Sequence, residues 1–207
     1  LVMIAGTYPA DEAYAAAMDY HADGVEIDIR RSADGVLYLF HDDTLDRMVA
    51  GAGKGREHTY YELLNMPFHN PHGTANEKTR IPTLAAFIEL ARRRAMLIHL
   101  DIKEAETQER TIELFDEADL WGHVVHVNPY NSEKIREHID LNLYDYKGWV
   151  EEAGDVLKPE VAERFLARDG RMIFCHNDPR RAGRILGRPE EPTVVPLPKK
   201  IRRLWKK

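Results

Sequence analysis

The sequence predicts an α/β protein in which helices cover a parallel sheet. Short apolar runs of strand length alternate along most of the chain with segments whose apolar residues are spaced for a helix. Such alternation is typical of parallel α/β units, because parallel strands need a long crossover connection. A chain of 207 residues is long enough for one domain with its own hydrophobic core.

Turn residues separate the predicted elements. Strands are predicted at 1–5, 24–30, 36–40, 96–103, 123–127 and 171–175, with a weaker strand at 141–144. Helices are predicted at 11–20, 60–64, 83–94, 104–119, 131–138, 159–168 and 179–186. Asp34-Gly35 is a turn signal, so the second and third strands are expected to form a hairpin or bent unit. Thr83 is a candidate N-cap.

Composition argues against several classes of protein. The net charge is -6 at pH 7, so binding to nucleic acid by bulk attraction is not expected. Cys175 is the single cysteine, which excludes an internal disulfide framework. No apolar run reaches the ~18 residues of a membrane span, and no signal peptide is visible. We expect a cytoplasmic protein, although the start at Leu1 instead of Met leaves a removed segment open.

The C-terminal part differs in composition from the rest. Prolines stand at 189, 192, 196 and 198, and six of the last nine residues are Lys or Arg. We therefore predict a folded domain over 1–188 and a Pro-rich, basic tail over 189–207. Such a tail is most often solvated, but it is also typical of a weak contact with an anionic membrane surface or of docking on a partner.

Acidic and basic residues on two predicted strands are the candidates for chemistry. Glu26 and Asp28 are two apart on a strand, so their side chains point to one face. Inward-pointing carboxylates repel each other and resist burial, and a divalent cation such as Mg²⁺ or Ca²⁺ resolves both problems. Asp101, on an apolar strand, is the third candidate ligand. Lys103 shares its face, and either neutralises Asp101 or holds a phosphate beside the metal.

Each of these signals is weak by itself. A Glu-x-Asp strand is more often a solvated face than a metal site, and Asp101 with Lys103 is equally explained as a plain ion pair. His41, taken alone, is more often an ordinary turn histidine. The occurrence of these residues together favours a metal-dependent site over the ordinary explanation of each residue.

Residues 21–53, HADGVEIDIRRSADGVLYLFHDDTLDRMVAGAG, closely resemble the core of the glycerophosphodiester phosphodiesterase family. That family has an Ala-Asp segment, a Glu-x-Asp strand, an Asp-Gly turn, an apolar strand, and then His-Asp and Leu-Asp-Arg. The matching residues are Ala22-Asp23, Glu26 and Asp28, Asp34-Gly35, His41-Asp42 and Leu45-Asp46-Arg47. Residues 59–63, 81–84 and 101–103 also fit the family pattern.

The resemblance implies a TIM-type (β/α)8 barrel with its site at the C-terminal ends of the strands. With 207 residues and fewer than eight predicted strands, we expect a shortened or incomplete barrel. The resemblance further implies that Glu26, Asp28 and Asp101 bind a divalent metal. It implies that His41 acts in acid/base chemistry and that Lys103 contacts the phosphate during catalysis.

The activity implied by the resemblance is hydrolysis of a small phosphodiester. The expected reaction is metal-dependent conversion of glycerophosphodiesters to glycerol 3-phosphate and an alcohol, as part of lipid and glycerol metabolism. Two alternatives stay open. One is a catalytically impaired homologue that binds phosphate ligands or a partner, and the other is a phospholipase D-like hydrolase of headgroups at a membrane surface.

Two positions depart from the family pattern. Asp101 stands where the family usually has glutamate. Ile4-Ala5 is followed by Gly6-Thr7, where the family has His-Arg-Gly. The absent histidine predicts that another group substitutes for it, that the activity is weak, or that the given chain lacks a segment, since one general acid or base contributes about 10²–10⁴-fold in rate. The candidate substitutes are His99, His126 and His176, each of which is more often an ordinary core or rim histidine.

Overall fold

The computed structural model describes residues 2–5, 10–69, 78–128, 149–150, 173–176 and 178–196, with 135, 138 and 163 as single residues. These residues form seven strands and five α-helices. The strands are β1 (Val2–Ala5), β2 (Gly24–Arg31), β3 (Leu37–Leu39), β4 (Leu97–Ile102), β5 (Val124–Asn128), β6 (Trp149–Val150) and β7 (Ile173–His176). The helices are α1 (Asp11–Asp19), α2 (Tyr60–Asn65), α3 (Leu84–Arg94), α4 (Gln108–Ala118) and α5 (Pro179–Ile185).

Six strands run parallel in one sheet, in the order β5, β4, β2, β1, β7, β6. The last strand in the chain, β7, pairs with the first, β1. The strands therefore follow one another in chain order around the sheet, as the strands of a closed barrel do. β3 lies off this path and pairs antiparallel with β2, which confirms the predicted hairpin.

Most predicted elements coincide with observed ones to within a few residues. The six main predicted strands correspond to β1 to β5 and β7, and five predicted helices correspond to α1 to α5. The two-residue strand β6 was not predicted, because so short a segment has no periodicity to detect. The predicted strand at 141–144 and the predicted helix at 159–168 fall outside the described residues apart from 163, as does the helix at 131–138 apart from 135 and 138.

Side-chain caps explain where two of the helices begin. The Oγ1 of Thr83 accepts a hydrogen bond from the backbone N–H of Ala86 at 3.0 Å, which confirms the predicted N-cap of α3. At α2, the backbone N–H of Thr59 donates to the Glu62 carboxylate at 2.7 Å, and the Thr59 hydroxyl accepts from the N–H of Glu62. Each such cap stabilises its helix by about 1 kcal/mol.

The larger hydrophobic core lies between the sheet and the helices. Alternate residues of β2, namely Val25, Ile27 and Ile29, are fully buried and pack with Tyr14 of α1 and Phe87 of α3. Because successive side chains of a strand point to opposite faces, the intervening residues of β2 face away from the helices. The carboxylates of this strand therefore point to the inner side of the sheet.

A second, smaller core holds the segment that follows β3. Its buried members are Tyr38, Phe40, Leu45, Met48, Val49, Tyr60, Leu63 and Ile81. These side chains tie residues 40–49 to β3 and α2. The loop that carries His41 is therefore packed on its own core and has a defined position relative to the sheet.

Residues 188–196 lie against the turn between α1 and β2. Arg188 forms an ion pair with Asp23 at 2.6 Å, and the backbone N–H of Thr193 donates to the carbonyl of Asp19 at 2.9 Å. Arg94, at the end of α3, is 2.5 Å from the Asp19 carboxylate. The described segment after 188 thus contacts the folded domain, whereas the basic residues 199–207 lie outside the described residues.

None of the helices that the structure describes has the length and apolar character needed to cross a membrane.

Gly24 lies where β2 and β4 meet closely, and we expect Gly24→Ala to destabilise the sheet. A Cβ at this position would overlap the backbone carbonyl of Leu97. Since backbone cannot move as freely as a side chain, the free energy of unfolding should fall by about 1–3 kcal/mol. Urea unfolding measures this loss. The matched control is Gly122→Ala, where a Cβ meets no atom within 4 Å, and equal midpoints for the two variants would contradict the prediction.

Candidate active site

Three carboxylates from two neighbouring strands meet on the inner side of the sheet. In the parallel pairing of β2 and β4, Asp28 lies opposite Asp101 and Glu26 lies opposite His99. One carboxylate oxygen from each of Glu26, Asp28 and Asp101 lies within 4.8 Å of the other two. The structure therefore brings together the three residues that the sequence suggested as metal ligands.

The ammonium of Lys103 lies between two of these carboxylates. Its Nζ donates to Oδ2 of Asp101 at 2.5 Å and forms an ion pair with Oδ1 of Asp28 at 3.0 Å. Burial disfavours the ammonium, but the hydrogen bond with Asp101 and the charge of Asp28 outweigh it and raise the pKa of Lys103. Burial raises the pKa of Asp28, and the nearby Lys103 offsets this only in part.

The donor set fits a hard divalent cation. Mg²⁺ and Ca²⁺ prefer oxygen ligands, which is what Glu26, Asp28 and Asp101 supply. Three ionised carboxylates and one ammonium leave a formal charge of -2 (-3 + 1) on this cluster. A divalent cation would neutralise that charge and offset the burial that raises the pKa of Asp28.

A second row of side chains lies closer to the amino ends of the same strands. His99 on β4 pairs with His126 on β5, and the two rings are 4.7 Å apart. Nδ1 of His99 is 3.9 Å from Oε1 of Glu26, and His99 is only 3% exposed. Burial, with the neighbouring charges of His126 and Lys103, lowers the pKa of His99 well below its usual value. His99 is thus a neutral ring packed beside Glu26 and closed to solvent, whereas His126 is partly exposed.

The remaining positions of interest near β1 are described only in part. His176 lies on β7, where its backbone pairs with Ala5 of β1. Gly6-Thr7, which stand in place of the family's His-Arg-Gly, lie outside the described residues. The consequence of that departure therefore stays a prediction.

His41 lies on an exposed loop directly after β3 and is held at its ring and at its backbone. Nδ1 of the imidazole is 2.8 Å from Oδ1 of Asp42. The carbonyl of His41 accepts a hydrogen bond from Arg30 at 2.9 Å, and Nε of Arg30 donates to the carbonyl of Phe40 at 3.0 Å. Because Arg30 is 8% exposed and lies on β2, it connects the His41 loop directly to the strand that carries the carboxylates.

Asp42 links His41 to an arginine five residues further along. Nε of Arg47 donates to Oδ2 of Asp42 at 2.6 Å, and Nη2 donates to Oδ1 at 2.8 Å. These hydrogen bonds, those from Arg47 before that from His41, lower the pKa of Asp42. Asp42 is therefore an ionised acceptor at neutral pH.

Sequence reasoning did not assign roles to Arg30, Arg47 or Glu104. Arg30 is two residues after Asp28, so the period of the strand already places it on the inner face. Arg47 stands in the Leu-Asp-Arg motif, but its pairing with Asp42 depends on how the loop turns back. Glu104, 3.6 Å from Arg30, follows the end of β4 and carried no pattern that could reveal it.

Comparisons with known proteins agree on one family. Residues 6–135 match the model of the Glycerophosphoryl diester phosphodiesterase family. A glycerophosphodiester phosphodiesterase of Caldanaerobacter subterraneus subsp. tengcongensis is 28% identical over 149 residues, which are 67% of this chain and 61% of that protein. Glycerophosphodiester phosphodiesterase 1 of Mus musculus is 36% identical over 84 residues, 40% of this chain and 25% of that protein. The chain thus spans less than two thirds of the length of either relative.

Solved structures share the fold. A glycerophosphodiester phosphodiesterase from Agrobacterium tumefaciens str. C58 superposes with a TM-score of 0.65 at 18% identity, covering 86% of this chain and 97% of that one. A glycerophosphoryl diester phosphodiesterase from Parabacteroides distasonis gives 0.68 at 21% identity, covering 94% and 90%. The predicted TIM-type barrel is therefore confirmed. The family match favours neither of the two alternative functions, the impaired homologue or the phospholipase D-like hydrolase. Since the family model matches more than half of the residues, the chain belongs to the glycerophosphoryl diester phosphodiesterase family.

Proposed function

We propose that the protein hydrolyses glycerophosphodiesters to glycerol 3-phosphate and an alcohol, with Mg²⁺ or Ca²⁺ as cofactor. The observation that carries this proposal is the meeting of Glu26, Asp28 and Asp101 beside Lys103, within the stretch that matches the family. A related fold supports the product class. A phosphodiesterase of Oleispira antarctica, with a TM-score of 0.63 and 18% identity, was solved in complex with the product sn-glycerol-3-phosphate.

A cation held by the carboxylate cluster, together with Lys103, would match the negative charge that develops during the reaction. Cleavage of a phosphodiester increases negative charge on the phosphoryl oxygens and on the leaving alkoxide. A bound divalent cation would supply Lewis-acid stabilisation of that charge. Lys103 would contact the phosphate with an ammonium that Asp28 and Asp101 already hold in place, so that little reorientation is needed.

Two proton transfers accompany hydrolysis. Water forms a new bond to phosphorus and loses a proton, while the bond from phosphorus to the alcohol oxygen breaks and that oxygen gains a proton. We assign one transfer to His41, whose side chain is 62% exposed and interacts electrostatically with Asp28. For the other transfer, His126 is the one predicted substitute with a described, partly exposed side chain, and the charge of Asp101 acts on it.

Release of glycerol 3-phosphate tests the proposal. Glycerophosphocholine and glycerophosphoethanolamine are incubated with the protein in the presence of Mg²⁺, Ca²⁺ or a chelator, and the products are followed by phosphorus NMR. We expect glycerol 3-phosphate only when a cation is present. Phosphocholine as the product would show cleavage of the other ester bond. A folded, cation-loaded protein that releases neither product would contradict the proposed substrate class.

His41→Gln is expected to lower kcat by about 10²–10⁴-fold, because a positioned general acid or base contributes about that much. The control is His69→Gln, which changes another exposed histidine in the same connection between β3 and α3. Steady-state kinetics with saturating cation measure both variants. Equal rates for the two variants would remove His41 from the proton transfers.

A further inference from the structure

Asp42 has a different setting from the other acidic residues of its loop. Its side chain is 17% exposed, although the side chains of its partners His41 and Arg47 are each 62% exposed. Both carboxylate oxygens are engaged, with Oδ2 accepting from Arg47 and Oδ1 shared between Arg47 and His41. The neighbouring carboxylate, Asp43, pairs instead with Lys54 at 3.1 Å and with Arg30 at 3.5 Å.

We propose that Asp42 and Arg47 are positioning residues that hold the imidazole of His41 in one tautomer, with the proton on Nδ1 and with Nε2 directed to the substrate. This inference rests on the proposed function for its catalytic meaning. The tautomer itself is a property of the protein without substrate, and it can be measured whether or not the protein turns over a glycerophosphodiester.

The first step of the argument is the hydrogen-bond inventory of Asp42. An ionised carboxylate accepts hydrogen bonds and cannot donate them. The 2.8 Å contact between Asp42 and Nδ1 of His41 therefore requires a proton on Nδ1. In the neutral ring Nε2 is then the unprotonated nitrogen, which is the form that can take up a proton.

The second step is the role of Arg47. A planar guanidinium that donates two parallel hydrogen bonds fixes the plane and the direction of a carboxylate, which a single ammonium does not. Both bonds are short, at 2.6 Å and 2.8 Å. An isolated surface ion pair contributes little to stability, so the effect expected of this pair is orientation and not folding.

The third step is the backbone. Arg30 holds the carbonyl of His41 at 2.9 Å, so that the main chain at this position is tied to β2. With the main chain and Nδ1 both held, the remaining freedom of the ring is small. Nε2 of His41 then has a defined direction in the substrate-free protein.

The test is nitrogen NMR of the imidazole rings, recorded without substrate at a pH where the rings are neutral. The His41 signals are assigned by their absence in His41→Gln. In the unaltered protein we expect the Nδ1–H tautomer for His41. In Asp42→Asn we expect that tautomer to give way to Nε2–H, because an amide can donate to Nδ1 where the carboxylate could only accept. Asp43→Asn is the matched control, and its His41 signals should not change.

Kinetics supply a second readout. Asp42→Asn is expected to lower kcat by at least about 10²-fold with KM nearly unchanged, since a wrongly placed imidazole proton affects the transfer and not binding. Arg47→Lys keeps the charge but loses the two-fold contact, and we expect a smaller fall in kcat. Asp43→Asn should keep the original kcat.

The inference is overturned if His41 carries its proton on Nε2 in the unaltered protein, or if Asp42→Asn leaves the tautomer as it was. If Asp42→Asn changes the tautomer of His41 as expected but the unaltered protein hydrolyses no glycerophosphodiester, the positioning role is kept and the proposed function is rejected. Circular dichroism of each variant separates both results from a failure to fold.

Discussion

Replacing Glu26 with glutamine, or Asp28 with asparagine, is expected to abolish tight binding of a divalent cation and to lower hydrolysis by roughly 10³-fold. Each substitution keeps the shape of the side chain but removes one negative charge from a cluster whose formal charge is -2. The remaining -1 no longer balances a divalent cation. Calorimetric titration with Mg²⁺ or Ca²⁺ measures the binding, and release of glycerol 3-phosphate measures the rate.

Glu113→Gln is the matched control for these variants. Glu113 lies on α4, is 60% exposed and pairs with Arg110 at 2.7 Å, so its charge is remote from the carboxylate cluster. We expect this variant to bind the cation and to hydrolyse substrate as the unaltered protein does. Cation binding that persists in both Glu26→Gln and Asp28→Asn would exclude the carboxylate cluster as the metal site.

Asp28→Asn is also expected to affect the stability of the metal-free protein. Burial raises the pKa of Asp28, so the charged carboxylate costs free energy in the folded protein without metal. A carboxyl whose pKa is raised on folding stabilises the folded protein most at pH values below its unfolded pKa. This stabilisation is lost as the pH rises through the folded pKa. Asparagine carries no charge, so metal-free Asp28→Asn should not lose this stabilisation. At neutral pH it should unfold no more easily than the unaltered protein. A clear fall in the unfolding midpoint of Asp28→Asn would show that the ion pair with Lys103 stabilises the folded protein by more than burial of the charge costs.

Lys103→Met is expected to slow hydrolysis by about 10²–10³-fold while tightening cation binding. Loss of the ammonium removes a positive charge from the place where phosphate charge develops, and one such contact contributes that much to the rate. Nζ of Lys103 contacts both Asp28 and Asp101. Removing the ammonium therefore also relieves its repulsion of a cation held by these two carboxylates. The two readouts should therefore move in opposite directions.

Lys54→Met is the control for the lysine variant. Lys54 pairs with Asp43 at 3.1 Å and not with a carboxylate of the cluster, so removal of the Lys54 ammonium should leave cation affinity unchanged. Weaker cation binding in Lys103→Met would instead mean that the ammonium is needed to hold the carboxylates in position. In that case Lys103 would act as a structural counter-ion.

Local pattern is sufficient to predict the strands and helices and part of the site. Apolar periodicity depends on neighbouring residues only, which is why the predicted strands lie close to the observed bounds of β1 to β5 and β7. The period of a strand likewise puts Glu26 and Asp28 on one face, whatever surrounds that strand in the fold. The resemblance to a known family, which covers residues 21–53 and shorter matches up to 101–103, extends this to a barrel fold and to metal binding by Glu26, Asp28 and Asp101.

The tertiary structure decides which of these groups meet and which are closed to solvent. The pairing of Asp28 with Asp101 depends on the register between β2 and β4, which are far apart in the chain, and no local pattern encodes that register. His99 is a candidate for proton transfer by sequence, but packing against His126 and Glu26 buries it.

The contacts of His41 are also decided by the tertiary structure. They depend on how the loop folds over its own core, because this fold brings Arg47 to Asp42 and Arg30 to the backbone of His41. By itself, then, the sequence determined the elements, the family and the chemical types in the site. Distances, burial and hydrogen-bond partners arise from long-range packing, and only the folded chain defines them.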